Sequence, residues 1–277
     1  MLTLTTTMQC IVYTIVAAAI PCIYVGSLYL VENKLRSNHP HTLRKRFRAV
    51  SIVCAFSVVL SYILLKLKYD DPLDKMGFHW YGTVASLILP TFLTMIFYTG
   101  TLIMIYLDGS YEMLFSAKEW KKAMNNIQWI RHIVMGPLTE EIAFRACGAS
   151  LILQCFPEWM TTFIYPMFFS LCHMHHIFDD LRNGLSLNSA LMYRLFQSSY
   201  TYLFGVYVTY IFTQTGHILG PILVHAFCNT VGLPSVGEVS QYPPKTQRYL
   251  WAAHVAGFLL WVISVPFLLQ SSLYTFL

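Results

Sequence analysis

The chain of 277 residues is 56% hydrophobic and only 11% charged, with a formal net charge of +5. Soluble domains carry roughly 25% charged residues, so this composition excludes an ordinary water-soluble globule and assigns the chain to the lipid bilayer. The small positive balance needs no nucleic acid to account for it, and none is expected as a partner.

A hydrocarbon core of roughly 30 Å takes about 20 apolar residues per helix. Eight stretches of that order predict an all-α polytopic membrane protein, a single transmembrane domain over residues 1–277 with its motif-bearing core at about 127–234. The first, 8–30, lacks a basic n-region and exceeds a usual signal-peptide h-region, so it is read as a retained span. Lys34, Arg36, Arg44, Lys45, Arg46 and Arg48 follow it. Basic residues in short loops stay cytosolic, which puts the N-terminus on the lumenal or exterior side. The second stretch, 49–67, then returns to a loop at 68–82 holding Asp70, Asp71 and Asp74, which suits that opposite side.

The third stretch covers 83–106 and the fourth 127–153, the latter with Arg131, Glu140, Glu141 and Arg145 inside it. The fifth covers 159–178, the sixth 192–214 with Arg194 near its start, the seventh 217–234 and the eighth 249–271. The loops at 107–126, 179–191 and 235–248 fall in the cytosol under this scheme. Seven cysteines, at 10, 22, 54, 147, 155, 172 and 228, show no CxxC spacing. They read as small hydrophobes, and their odd number speaks against a disulfide framework.

Ionisable groups inside a span cost roughly 2.5–3.5 kcal/mol each on insertion scales, so they persist where paired or used. In PLTEEIAFRA, Glu141 and Arg145 stand i and i+4 on one helix face in the favourable acid-before-base order. Pro137 is expected at the first turn of that helix. Glu140 is rotated by about 100° from its neighbour and points to another surface. A carboxylate so placed is either protonated or poised as a base. The plain alternative is an ion-pair network that fixes helix packing.

FSLCHMHHIFDD puts Phe169 and His173 on one face, an aromatic wall beside an imidazole held near neutral. The i, i+4 pairs His175 with Asp179 and His176 with Asp180 read as an interfacial hydrogen-bond cluster, and His173 itself has the alternative of capping a helix end. In HAFCN, His225 and Asn229 lie one turn apart and face the same way. Their N–H groups suit an oxyanion hole; the alternative is an interhelical hydrogen bond. Tyr200, Tyr202, Phe204, Tyr207, Tyr210 and Phe212 of the sixth stretch either line a groove or pack.

EEIAFR, FSLCHMHH and HAFCN together resemble the EExxxR, FxxxH and HxxxN signature of the CPBP (ABI) membrane proteases, and the FSxxHxHH form resembles their eukaryotic branch. The resemblance implies a non-metal glutamate protease of the endoplasmic reticulum membrane with its site toward the cytosol and no cofactor. Its substrates would be prenylated CaaX proteins such as Ras- and Rho-type small GTPases, which lose their last three residues. It implies that Glu140 and His173 activate water, that His225 and Asn229 hold the oxyanion, and that Glu141, Arg145 and Phe169 support the glutamate or position substrate. Three readings compete: a zinc protease using His173, His225 and a glutamate, a transporter with an ionisable pathway, and an inactive scaffold for lipidated partners.

Overall fold

A computed structural model describes residues 2–31 and 39–275, and every element among these is helical. Lys34 and Arg36 of the basic cluster lie outside the described residues; Arg44, Lys45, Arg46 and Arg48 stand in the first turns of the second helix. The chain divides into two compact units, Met1–His79 with Leu138–Ile218, and Trp80–Pro137 with Leu219–Leu277.

The first unit contains α1 (Leu2–Leu30) and α2 (Pro40–Lys66). On α2 the buried residues Val50, Cys54, Ser57, Ser61 and Leu65 follow the helical period, while Ile52, Phe56, Val59 and Ile63 are exposed. The outward face is as apolar as the inward one, and the inward one carries the small polar residues. A helix patterned this way is solvated by lipid, and small residues let its neighbours approach closely. On α1, Tyr13, Ala17, Ile20, Tyr24 and Ser27 form the buried stripe. Its tyrosines tie it to the rest of the unit, Tyr13 donating to the Leu64 carbonyl at 2.9 Å and Tyr24 meeting Thr139 Oγ1 at 2.8 Å.

In the second unit, α3 (Thr83–Phe97) and α4 (Thr99–Leu107) form one apolar stretch bent by 76° at Tyr98. The bend brings Gly100 against the His254 ring, where a Cβ would lie 2.2 Å from Nδ1, so glycine is required there. A short helix, α5 (Ala117–Met124), is capped by Ser116, whose hydroxyl accepts from the Glu119 N–H.

Residues 127–152 form a continuous helix, α6, with π-helical turns at Ile130–Met135 and Ile142–Ala149 flanking an α-helical stretch, Gly136–Glu141. Asn126 caps it, so Pro137 sits well inside rather than in the first turn. Proline has no N–H to return to the preceding turn, and the ladder before it relaxes into the wider register. Single π turns inside α-helices recur at functional sites.

The fifth predicted span is broken into Glu158–Phe163, α7 (Pro166–Cys172), a 3₁₀ turn at His173–His176 and Ile177–Arg182. Pro166 removes one donor, and the rings of His173 and His175 bond the carbonyls of Phe169 and Cys172. The sixth is the uninterrupted α8 (Leu187–Thr215), ended by Gly216 at φ 66°. α9 (Leu219–Val231) and α10 (Pro244–Leu268) complete the second unit.

All eight predicted stretches are helical, but a count of eight spans is not confirmed. Among the described residues, four helices are long and apolar enough to cross a membrane, or up to five with the bent pair taken as one span. α6 and α8 carry charge, and the fifth stretch is divided, so length and hydropathy do not single them out. The expectation that the cysteines stay unlinked also fails, because Cys10 and Cys155 form a disulfide.

One acid-sensitive contact lies in the turn between α8 and α9. His217 is buried against His79, with ring centroids 4.6 Å apart, and His79 Nε2 also donates to the Gly216 carbonyl at 2.9 Å. Burial, then the neighbouring imidazole, push His217 down to about 4. The unfolded chain, at about 6.5, takes up this proton first, so the unit's stability is held above about pH 6.5 and falls as pH drops toward 4. Thermal midpoints in detergent between pH 7 and 4.5 should show this decline, and His217→Asn should flatten it; an unchanged profile in the variant would refute the assignment.

Candidate active site

Glu140 and Glu141 stand side by side on α6 in different surroundings. Glu141 is fully buried and its Oε1 accepts from Arg145 Nη1 at 3.1 Å, as the i, i+4 spacing requires. Glu140 is half-buried and lies in the electrostatic neighbourhood of Tyr24, Cys54 and Cys172. Thr139, just before it, is fixed from two helices: Tyr24 meets its hydroxyl and Cys54 Sγ donates to its carbonyl at 3.3 Å.

Arg145 extends the network. Its Nη2 donates to the Gly205 carbonyl of α8 at 3.4 Å, and its guanidinium lies 4.5 Å from the centroid of the Phe169 ring. A cation over an aromatic face away from water gains about 2 kcal/mol or more. Gly205 is needed for this approach, because a Cβ there would come within 3.0 Å of Pro166 and 3.3 Å of Phe169. Phe169 in turn meets the His173 ring edge-on at 5.0 Å, so Glu141, Arg145, Phe169 and His173 form one connected chain of contacts.

The His173 ring is oriented by its own helix. Nδ1 lies 2.9 Å from the Phe169 carbonyl oxygen, which can only accept. Neutral imidazole therefore carries its proton on Nδ1 and its lone pair on Nε2, the form that takes up a proton.

His175 and His176 make contacts beyond the acid pairs read from their spacing. Their rings meet at a tilt with centroids 3.9 Å apart, His175 Nδ1 donates to the Cys172 carbonyl at 2.5 Å, and Tyr29 of α1 donates to the His175 carbonyl at 2.9 Å. Asp180 is taken by Arg194, whose Nε and Nη2 each lie 2.5 Å from a carboxylate oxygen, while Asp179 faces Arg182 at 4.0 Å. The two-pronged Asp180–Arg194 pair ties the segment after His173 to α8, and Ser170 and Ser198 add reciprocal bonds to each other's carbonyls at 2.6 and 3.3 Å. An arginine within an apolar stretch asks for an acid, and Asp180 was the signal in the sequence that answers it. Of the aromatic residues of α8, Phe212 is buried, while Tyr200, Tyr202, Phe204, Tyr207 and Tyr210 are partly exposed, Tyr202 donating to the Phe163 carbonyl at 2.9 Å.

In the second unit His225 is buried on α9 and Asn229, one turn on, is exposed. Asn229 Nδ2 donates to the His132 carbonyl of α6 at 2.8 Å, a partner not anticipated from the sequence. The amide has two N–H donors; one is held by that carbonyl, which fixes the plane in which the other points. Among the described residues, no group of three or more His, Cys, Asp or Glu side chains is positioned to hold a metal ion.

Comparison with known proteins bears on the same stretch of chain. Residues 122–231 match the family model described as type II CAAX prenyl endopeptidase Rce1-like. CAAX prenyl protease 2 of Caenorhabditis elegans is 37% identical over 90% of this chain and 94% of its own length, and that of Homo sapiens 33% identical over 92% and 80%. A probable CAAX prenyl protease 2 of Schizosaccharomyces pombe is 30% identical over 77% of this chain and 78% of its length. No solved structure matches. With relatives this similar along most of both chains, and with the matched stretch holding every motif residue from Glu140 to Asn229, the protein belongs to the Rce1-like type II CAAX prenyl endopeptidase family.

Proposed function

We propose that this protein is an intramembrane endopeptidase that removes the C-terminal aaX tripeptide from prenylated CaaX proteins, Ras- and Rho-type small GTPases among them, at the endoplasmic reticulum membrane. The observation that carries the reading is the orientation of His173, whose Nδ1–H donation to the Phe169 carbonyl leaves Nε2 as proton acceptor. Glu140 and His173 take the proton of a water that attacks the carbonyl of the lipidated cysteine, and return it to the leaving amine of the aaX tripeptide. N–H groups of His225 and Asn229 stabilise the tetrahedral oxyanion. The buried Glu141–Arg145 pair and Phe169 act by positioning. A farnesyl or geranylgeranyl chain partitions into the bilayer, so the substrate arrives from the lipid.

The test uses purified protein in detergent, a farnesylated CaaX peptide, and a strong chelator. Cleavage after the lipidated cysteine that resists chelation supports the reading; chelator-sensitive cleavage replaces it with a zinc protease, and no cleavage with a transporter or scaffold. Asn229→Ala is expected to lower kcat by about 10²-fold, the effect of losing one oxyanion donor. A loss confined to KM would make Asn229 a packing residue held by His132.

A further inference from the structure

Five cysteines, Cys22, Cys54, Cys147, Cys172 and Cys228, keep free thiols, while Cys10 and Cys155 are joined across a sequence separation of 145 with their Cα atoms 5.5 Å apart. Cys10 stands near the start of α1, and Cys155 in the turn that follows α6. The surroundings of that turn are polar: Gln154 Oε1 accepts from Tyr69 and from Lys68, at 2.5 and 3.2 Å. The other end of α1 lies elsewhere, with Tyr29 against His175. Cys10 and Tyr29 are separated by about 28 Å along the helix at about 1.5 Å per residue, close to the roughly 30 Å of a bilayer core.

We infer that the Cys10–Cys155 bond is a native extracytosolic cross-link that ties α1 to the far end of the Glu140 helix and places the His173 end of the first unit at the cytosolic surface. Disulfides persist in oxidising compartments, whereas cytosolic thiols are kept reduced. The end of α1 that bears the bond therefore faces the lumen, and the end that meets His175 faces the cytosol. The basic residues Arg44, Lys45, Arg46 and Arg48 near that second end agree independently. In forming the bond, two thiols lose two protons and two electrons to the disulfide of a lumenal thiol–disulfide oxidoreductase, which leaves as a dithiol. That the cytosolic end is also the catalytic end rests on the proposed roles of Glu140 and His173; the bond and its side of the membrane do not.

The experiment uses the full chain in sealed microsomes. Free thiols are blocked with N-ethylmaleimide, the protein is reduced, and newly released thiols are labelled with a maleimide polymer. Two adducts are expected in the natural chain and none in Cys10→Ser, together with a Cys10–Cys155 cross-linked peptide by mass spectrometry before reduction. A membrane-impermeant phosphine added outside should release these thiols only after permeabilisation. Both cysteines blocked from the start would overturn the bond, and release from intact vesicles would overturn its lumenal side. A protected bond in a preparation that cleaves no farnesylated peptide would sink the protease reading while leaving the cross-link in place.

Discussion

Glu140→Gln is expected to lower turnover of a farnesylated CaaX peptide by about 10³-fold or more while the protein stays folded. General acid–base groups contribute about 10²–10⁴-fold, and in the proposed mechanism Glu140 handles the proton in both halves of the reaction. Glutamine keeps the size and polarity of the side chain and removes only its basicity. Because Glu140 is half-buried and not part of the Glu141–Arg145 pair, expression and thermal midpoint should change little. Activity within a few-fold of the natural protein would remove Glu140 from the catalytic machinery, and a collapse in the thermal midpoint would make it structural.

Arg145→Met is expected to produce the largest loss of stability. The guanidinium and the Glu141 carboxylate are almost completely buried, and removing one partner of such a pair costs about 3–5 kcal/mol because the other is left as a buried charge. The same change withdraws the cation from the Phe169 ring and the donor from the Gly205 carbonyl. Denaturation in mixed micelles would measure the loss. The double variant Glu141→Gln with Arg145→Met should recover much of it, since no lone charge remains; a double variant no more stable than the single one would place the effect in lost packing around Phe169.

Much of the architecture was legible because lipid imposes strict rules. The apolar runs and the Glu141–Arg145 spacing could be read directly, and each reappears as a helix or a contact. What stayed hidden depends on pairing across elements. Spacing along its own helix matched Asp180 with His176 and said nothing of the arginine fourteen residues later, which also binds it through a two-pronged, charge-assisted contact. For Asn229 both an oxyanion contact and an interhelical hydrogen bond were open; half of its amide makes the interhelical bond, but the sequence could not name the His132 carbonyl as its partner. Cys10 and Cys155 carry no local signature at all. The roles of the motif residues came from the resemblance, and the tautomer of His173, on which its use as a base turns, needed coordinates.

The two arginines of these ion pairs, one buried and one partly exposed, also differ in when their charge can be cancelled during biogenesis. Arg145 and Glu141 belong to one helix, one turn apart, so the pair can close as soon as that turn winds. Arg194 finds Asp180 on another segment and remains uncompensated until the two come together. Compensation of Arg194 thus waits for two segments to pack, whereas that of Arg145 needs a single helical turn.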